Sequence, residues 1–215
     1  MTFFLRAVHW LLLGVAWLLD RCLIAVEERR FRREERGTFA SPAPVPATAA
    51  DFNRLTRKYP TTLGRYYRGR WLYMRQVVRI IREESPQSVL EIGPRWIPLV
   101  KGSDLLDKEP KLPQVTYRHD AERVPWPVES GRYDLVIALQ VWEHLGDRQQ
   151  EAFREVMRIG RSAILSFPYK WNCPGDPHHM IDEKVIGEWT LHRKPKRVIR
   201  AGVRIIYHFD LKSES

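Results

Sequence analysis

Cysteine is scarce in this chain, with only Cys22 and Cys173 among 215 residues. Two cysteines cannot supply the disulfide framework of a small secreted domain. One lies in a hydrophobic stretch and the other in a polar segment, so we expect free thiols in a reducing compartment. Neither belongs to a recognisable metal-binding motif, and the sequence therefore predicts no metal site.

The N-terminal region also lacks a small-x-small cleavage site before Glu27, which argues against a cleaved signal peptide. Residues 3–26 have the length of a spanning helix, which needs about 20 mostly apolar residues. Polar side chains interrupt this stretch at Arg6, His9, Asp20 and Arg21. Three interpretations remain: the helix spans a membrane, lies in the interface with its tryptophans at headgroup depth, or packs on its own domain or a second copy.

Acidic residues are outnumbered, 26 against 36 Lys and Arg, which gives a formal net charge of +10. This excess fits nucleic acid, an anionic membrane or an acidic substrate as a partner. Five arginines fall within residues 29–36, directly after the apolar stretch, and this position favours lipid headgroups. Glutamates alternate with them, so a solvated helix face is the alternative. We expect residues 1–36 to hold a cytoplasmic domain at a membrane surface; the sequence leaves the oligomeric state open.

Residues 37–50 consist largely of small residues and prolines and cannot build a core, which indicates a linker. The compact domain is therefore predicted to occupy residues 51–215. Its helices are predicted at residues 63–84, 147–160 and 181–190, and its strands at 88–92, 114–120, 133–139, 162–167 and, as a pair joined at Ala201-Gly202, 196–211. Continuous apolar strands that alternate with helices predict an α/β fold. We expect a Rossmann-like, mostly parallel sheet with helices on both faces and an antiparallel C-terminal edge.

Polar residues follow the predicted strands, whose own sequences are apolar. Gly93 follows the first strand, Asp120 ends another, and Glu143-His144 come shortly after the strand at 133–139. Ligands of doubly wound sheets bind at the carboxyl ends of the strands, so these residues indicate a binding site.

Residues 64–190 resemble the class I S-adenosylmethionine-dependent methyltransferases, in their small-molecule, type 11-like branch. The resemblance rests on the order of "SVLEIGPRW", "HDAERVPWP", "YDLVIALQVWEHL" and "ILSFPY". It implies S-adenosylmethionine as the cofactor. Nine residues match cofactor-contacting positions of that family: Glu91, Gly93, Pro94, Asp104, Asp107, Asp120, Ala121, Leu139 and Gln140.

The roles implied by the resemblance differ along the sheet. Glu91 and Gly93 match positions beside the methionine moiety, and Asp107, preferred over Asp104, would accept hydrogen bonds from the ribose hydroxyls. Asp120 with Ala121 matches the adenine edge, whereas Leu139 and Gln140 match the turn beside the reactive sulfonium.

Glycine is also scarce where the resemblance needs it, because the turn after the first strand contains only Gly93. About a dozen residues separate Gly93 from the acid of the second strand, so the usual first helix must be reduced or missing. We interpret the turn as a shortened cofactor turn; a fold that has lost its affinity for the cofactor is the alternative.

Histidines are the candidate catalytic bases for an oxygen acceptor, because imidazole changes protonation near neutral pH. We predict His144 and His179 in this role, with local helix-start and loop functions as the alternatives. His178 and His179 are adjacent and cannot easily face one metal ion, and Cys173 does not complete such a site. The turn after residue 139 reads Gln140-Val141-Trp142, not the Asn/Asp-Pro-Pro-Tyr turn of many methyltransferases that act on base or amide amines, which argues against a nucleic-acid amine as the substrate.

The sequence therefore predicts S-adenosylmethionine-dependent methyl transfer to a small-molecule, lipid-linked or saccharide acceptor, at an oxygen atom. A non-catalytic binding or scaffold protein with the same fold at the membrane is the first alternative. An RNA methyltransferase that uses the basic surface is the second.

Overall fold

The computed structural model describes residues 41–57, 62–95, 97–109 and 115–212, and single helical positions at 15, 19, 22 and 26. The predicted N-terminal segment otherwise lies outside the described residues, so its relation to a membrane stays a prediction. Among the described residues no helix is both long and apolar enough to cross a bilayer.

A seven-stranded sheet forms the centre of the domain, in the order β5-β4-β2-β6-β7-β9-β8. Neighbouring strands from β5 to β7 are parallel, and β9 and β8 add the antiparallel edge. Its strands are β2 (Val89–Ile92), β4 (Asp104–Asp107), β5 (Tyr117–Arg118), β6 (Tyr133–Leu139), β7 (Gly160–Pro168), β8 (Arg197–Ala201) and β9 (Arg204–Asp210). The predicted sheet and its antiparallel edge are confirmed.

Helices cover both faces of this sheet. They are α1 (Ala49–Arg57), α2 (Thr62–Glu84), α3 (Gln149–Ile159) and α4 (Glu183–Trp189). Along β6, Leu135 and Ile137 face the core beneath α1 and α2, whereas Val136 and Ala138 face the core beneath α3 and α4. Because successive side chains of a strand point to opposite faces, a strand buried on both sides is apolar throughout. This explains the continuous apolar run at 133–139.

The segment predicted as a linker contributes to the domain in its described part. Strand β1 (Val45–Pro46) pairs antiparallel with β3 (Val100–Lys101), and the Ala47 amide donates to the Leu99 carbonyl at 2.8 Å. Ala47 is fully buried. Prolines suit a short edge strand because only one side of it needs hydrogen-bond donors. The small residues and prolines of this segment therefore predicted a linker, although its described part packs on the domain.

No helix lies among the described residues between β2 and β4, in agreement with the predicted loss of the first helix. The short strand β3 and its turn occupy this connection instead. Trp96, in the same connection, lies outside the described residues.

Candidate active site

A hollow of about 110 Å³ opens at the carboxyl ends of β2, β4 and β6. Gly93, Asp107 and Asp120 line it together, although they are spread over 28 positions of the sequence. Parallel strands bring these ends to one edge of the sheet, which is where ligands bind in open α/β folds. The remaining lining residues are Ile92, Leu106, Lys108, His119, Ala121, Glu122, Val141, His144 and Leu145.

Gly93 forms the turn after β2 and has a φ of +58°. Its amide donates to the Leu106 carbonyl at 2.9 Å, which ties the turn to β4. A Cβ atom placed on Gly93 would lie 3.0 Å from Cγ2 of Val141. Both the backbone conformation and the close contact therefore favour glycine here.

The carboxylates of Asp107 and Asp120 stand on neighbouring connections beside the hollow. The backbone amide of Glu109 donates to Asp107 at 2.9 Å, and burial is the main effect that raises the Asp107 pKa. Lys108 lies 3.6 Å from Asp120 and 3.2 Å from Glu122, so one cation faces two of the three carboxylates of this rim. Trp126 is buried and donates its indole N–H to the Ala121 carbonyl at 3.1 Å.

Two other predicted cofactor residues have their oxygens engaged within the fold. Glu91 accepts hydrogen bonds from the amides of Leu99 and Val100 and from the Ser103 hydroxyl, at 2.7–2.8 Å. Its burial raises its pKa to about 7, against the effect of these three donors. The Glu91 carboxylate therefore stabilises the connection between β2 and β4. Glu91 also lines a small hollow on the other side of Gly93.

Asp104 lies at the opposite end of β4 from Asp107, away from the hollow. It accepts from the hydroxyls of Tyr133 at 2.7 Å and Thr116 at 2.8 Å. Of the two candidate ribose ligands, the structure therefore brings only Asp107 to the carboxyl edge.

Leu139 and Gln140 follow β6 into the turn above Gly93. Leu139 lines the small hollow with Glu91, Gly93 and Pro94, and its carbonyl accepts from the Arg70 guanidinium at 3.1 Å. Gln140 has a φ of +60° and its side-chain amide donates to the Ser166 hydroxyl at 3.2 Å. Gln140 therefore fixes the turn to β7.

Three side chains converge at the far end of the hollow. Glu143 and His144 lie in the 3-10 turn Trp142–His144, and His178 approaches from the connection between β7 and α4. One potential ligand atom from each lies within 4.8 Å of the others. The Glu143 side chain is completely buried, and neither carboxylate oxygen has a hydrogen-bond partner. Burial raises the Glu143 pKa to about 7.

The two imidazoles of this cluster contact each other edge to face, with ring centroids 4.9 Å apart. Burial, together with the nearby His178, lowers the pKa of His144. His144 is therefore neutral near pH 7. The sequence predicted His144 but paired it with His179, whose Nδ1 instead accepts from the Cys173 amide at 3.0 Å. His179 stabilises the loop, and its neighbour His178 reaches the cluster.

A second hollow, of about 690 Å³, is rich in arginine and adjoins the cluster through Trp171, which contacts His178. Arg70, Arg75, Arg200 and Arg204 line it with Trp171. The Arg204 guanidinium lies 4.3 Å from the Trp171 ring centroid, and that ring lies 5.7 Å from His178. No sequence motif marked this hollow, because its residues come from α2, the loop after β7 and the β8–β9 turn.

Comparisons with known proteins agree with this geometry. A family model described as a methyltransferase domain matches residues 99–163. The match begins after the Glu91–Pro94 turn and includes Asp107, Asp120 and the Glu143-His144 pair. A comparison with curated proteins found no match.

Solved structures share the fold at low sequence identity. N-methyltransferase NodS from Bradyrhizobium japonicum WM9, in complex with S-adenosyl-L-homocysteine, is 14% identical with a TM-score of 0.51 and covers 69% of this chain and 88% of its own. The PH0226 protein from Pyrococcus horikoshii OT3 is 11% identical with a TM-score of 0.51, and the match covers 67% of this chain and 90% of that protein. The methyltransferase domain of a bacterial protein, CtHen1-CN, is 13% identical with a TM-score of 0.50, covering 65% and 97%.

The family match over residues 99–163 bears out the predicted resemblance to the class I S-adenosylmethionine-dependent methyltransferases, and the solved structures share the fold. The described residues fit that cofactor at one place. Because Gly93 has no side chain, the space beside it in the hollow stays open. The carboxylates of Asp107 and Asp120 line the same hollow and can accept hydrogen bonds. The individual contacts of the nine predicted residues stay predictions.

Proposed function

We propose that this protein transfers the methyl group of S-adenosylmethionine to an oxygen of a small, anionic acceptor at a membrane surface. The shared hollow of Gly93, Asp107 and Asp120 is the observation that carries the methyl-transfer part. The cofactor supplies an electrophilic methyl group, and the protein aligns the acceptor with it.

Asp107 and Asp120 would hold the nucleoside by accepting hydrogen bonds from its hydroxyls and its exocyclic amine. Gly93 would allow its backbone to lie against the ligand. The methionine moiety would lie beside the Gly93 turn, next to a small hollow of about 10 Å³ that has room for roughly one water molecule.

His144 lines the first hollow, contacts His178 and would receive the proton of an acceptor hydroxyl. Its lowered pKa keeps the imidazole neutral and able to accept a proton at neutral pH. His179 is turned to the Cys173 amide, which supports His144 as the more suitable of the two predicted bases.

The arginine-rich hollow supports an anionic group on the acceptor, such as phosphate or carboxylate. Guanidinium groups bind both through paired hydrogen bonds, and Trp171 offers a flat surface for a sugar or ring. A lipid-linked acceptor with a phosphate would combine this chemistry with the apolar N-terminal segment. At the described positions of that segment, Val15, Leu19 and Val26 are exposed.

Calorimetric titration with S-adenosylhomocysteine tests the proposal directly. We expect one ligand per chain; no heat at high micromolar ligand would favour a non-catalytic protein with the same fold. A second titration uses inorganic phosphate as the probe of the arginine-rich hollow. Binding that weakens in Arg75→Ala/Arg200→Ala would support an anionic acceptor, and unchanged binding would contradict it.

A further inference from the structure

The buried carboxylate of Glu143 is unusual among the acids of the described residues. Its side chain has no solvent exposure, yet both oxygens lack hydrogen-bond partners. An ionised carboxylate in this position costs several kcal/mol unless a cation or donors compensate it. Another buried glutamate, Glu91, accepts three hydrogen bonds. A lack of hydrogen-bond partners is therefore particular to Glu143 in this comparison.

Two of the groups close to Glu143 are metal ligands by chemistry, whereas Arg70 and Arg204 act on its carboxylate as cations. His178 presents Nε2 at 3.8 Å from a Glu143 oxygen, and His144 completes a set of three within 4.8 Å. Two imidazoles and one carboxylate form the donor set of open zinc sites and of other divalent transition-metal sites. Such sites keep at least one coordination position for water or substrate.

His178 is oriented as a metal ligand would be. Its Nδ1 hydrogen-bonds the carboxylate of Asp176, and the Asp176 carboxylate also accepts from the His178 amide at 2.8 Å. This arrangement directs Nε2 towards Glu143. Histidine ligands commonly donate their other ring N–H to a carboxylate, which fixes the tautomer and the ring orientation.

We propose that Glu143, His144 and His178 form a binding site for a divalent transition-metal ion, with Asp176 positioning His178. The site lies between the two hollows, since His144 lines the first and Trp171, beside His178, lines the second. Metal binding at these residues does not depend on methyl transfer.

A role for the ion rests on the proposed function. An open coordination position between the hollows would bind the acceptor oxygen and lower the pKa of its hydroxyl. His144 and His178 are then ligands, and the cation replaces an imidazole in assisting loss of the acceptor proton. The acceptor proton would pass to water, and the oxygen would form a bond to the methyl carbon while the bond between that carbon and sulfur breaks, which leaves neutral S-adenosylhomocysteine.

Titration of the chelator-treated full chain with Zn²⁺ and Co²⁺ tests the site. We expect one ion per chain and, for Co²⁺, the visible absorption of a site with mixed nitrogen and oxygen ligands. His178→Ala and Glu143→Gln should each weaken affinity by ~10-fold or more, and Asp176→Asn by about 10-fold. His179→Ala is the matched control, because that ring faces Cys173, and it should leave affinity within about 2-fold.

The outcomes separate the two proposals. Absence of binding, or equal loss in His179→Ala, overturns the metal site, and Glu143 is then only a counter-ion for the nearby cationic groups. Thermal unfolding of metal-free Glu143→Gln checks that the variant folds. Titration of the same variants with S-adenosylhomocysteine reports on the cofactor hollow alone, so a failure there contradicts the proposed function and leaves the metal result standing.

Discussion

A methyl group on Gly93 would lie 3.0 Å from Cγ2 of Val141. The turn after β2 can therefore pack closely against the turn after β6 because Gly93 has no side chain. The same two residues line the proposed nucleoside hollow. Packing between the turns and access to the ligand therefore depend on one glycine.

Gly93→Ala should reduce S-adenosylhomocysteine affinity by ~10-fold or more, because its Cβ would lie 3.0 Å from Val141, force that side chain to shift and narrow the hollow. Gly131→Ala is the matched control. Gly131 also has a positive φ, +68°, but a Cβ there would meet nothing within 4 Å. Both variants carry the backbone strain of an L-residue in this region, about 1 kcal/mol. Calorimetry and thermal unfolding measure affinity and stability separately; equal affinity in the two variants would contradict a cofactor turn at Gly93.

Asp107→Ala and Asp104→Ala should differ in what they impair. Loss of Asp107 removes the carboxylate at the hollow and should weaken S-adenosylhomocysteine binding by ~10-fold, the scale of a charge-assisted hydrogen bond. Loss of Asp104 removes the acceptor of the Tyr133 and Thr116 hydroxyls and should lower the unfolding midpoint with little change in affinity. If Asp104→Ala instead impaired binding more than Asp107→Ala, the assignment would be reversed.

Glu155 should make folding stability depend on acid pH. Burial raises its pKa, but hydrogen bonds from Arg158 at 2.6 Å and from the Trp126 amide at 2.6 Å outweigh burial and lower it below 4.5. Because the folded-state pKa is lower than the unfolded one, the stabilisation is complete above pH 4.5 and is lost as pH falls through the folded-state value.

Glu155→Gln should therefore cost about 1–3 kcal/mol at pH 7, and the difference from the unsubstituted protein should shrink towards zero in acid. Urea unfolding across this pH range is the measurement. Glu129→Gln, at an exposed position, is the control and should show no such pH dependence. A difference for Glu155→Gln that stayed constant with pH would show that charge is not its cause.

Two truncations test where the folded domain begins. Removal of residues 1–40 should leave the unfolding midpoint nearly unchanged, whereas removal of residues 1–50 should lower stability by a few kcal/mol. The longer deletion removes strand β1, buried Ala47 and its hydrogen bond to Leu99. Similar denaturation curves for the two truncations would show that residues 37–50 add no stability to the domain and act as a linker.

Deletion of residues 1–36 should move the protein from the membrane fraction to the soluble fraction. The interpretations of this segment differ in how salt acts. Attachment through the arginines of residues 29–36 is screened, so high salt should release the full chain, whereas a spanning helix resists salt. An unchanged distribution of the truncated protein would assign the segment to packing with its own domain or a second copy.

Apolar periodicity along the chain was enough to predict most of the sheet and its helices. Strand β6 was predicted at its observed bounds, and the pair at the C-terminus was recognised from its turn at Gly202. These elements bury one or both faces, and burial leaves a local pattern in the sequence. Strand β1 shows no such pattern in the sequence. A two-residue edge strand forms through its backbone hydrogen bonds and needs no repeating apolar side chains.

The amino-acid sequence by itself determined the alternation of strands and helices, the shortened glycine turn and the resemblance to a family of methyltransferases. Only the tertiary structure decided which polar residues meet. It separated Asp104 from Asp107 by the length of one strand, and it brought His178, not His179, to Glu143 and His144. The physical reason is that secondary structure follows from the polarity of near neighbours, whereas a site depends on side-chain directions from distant loops, which local patterns do not encode.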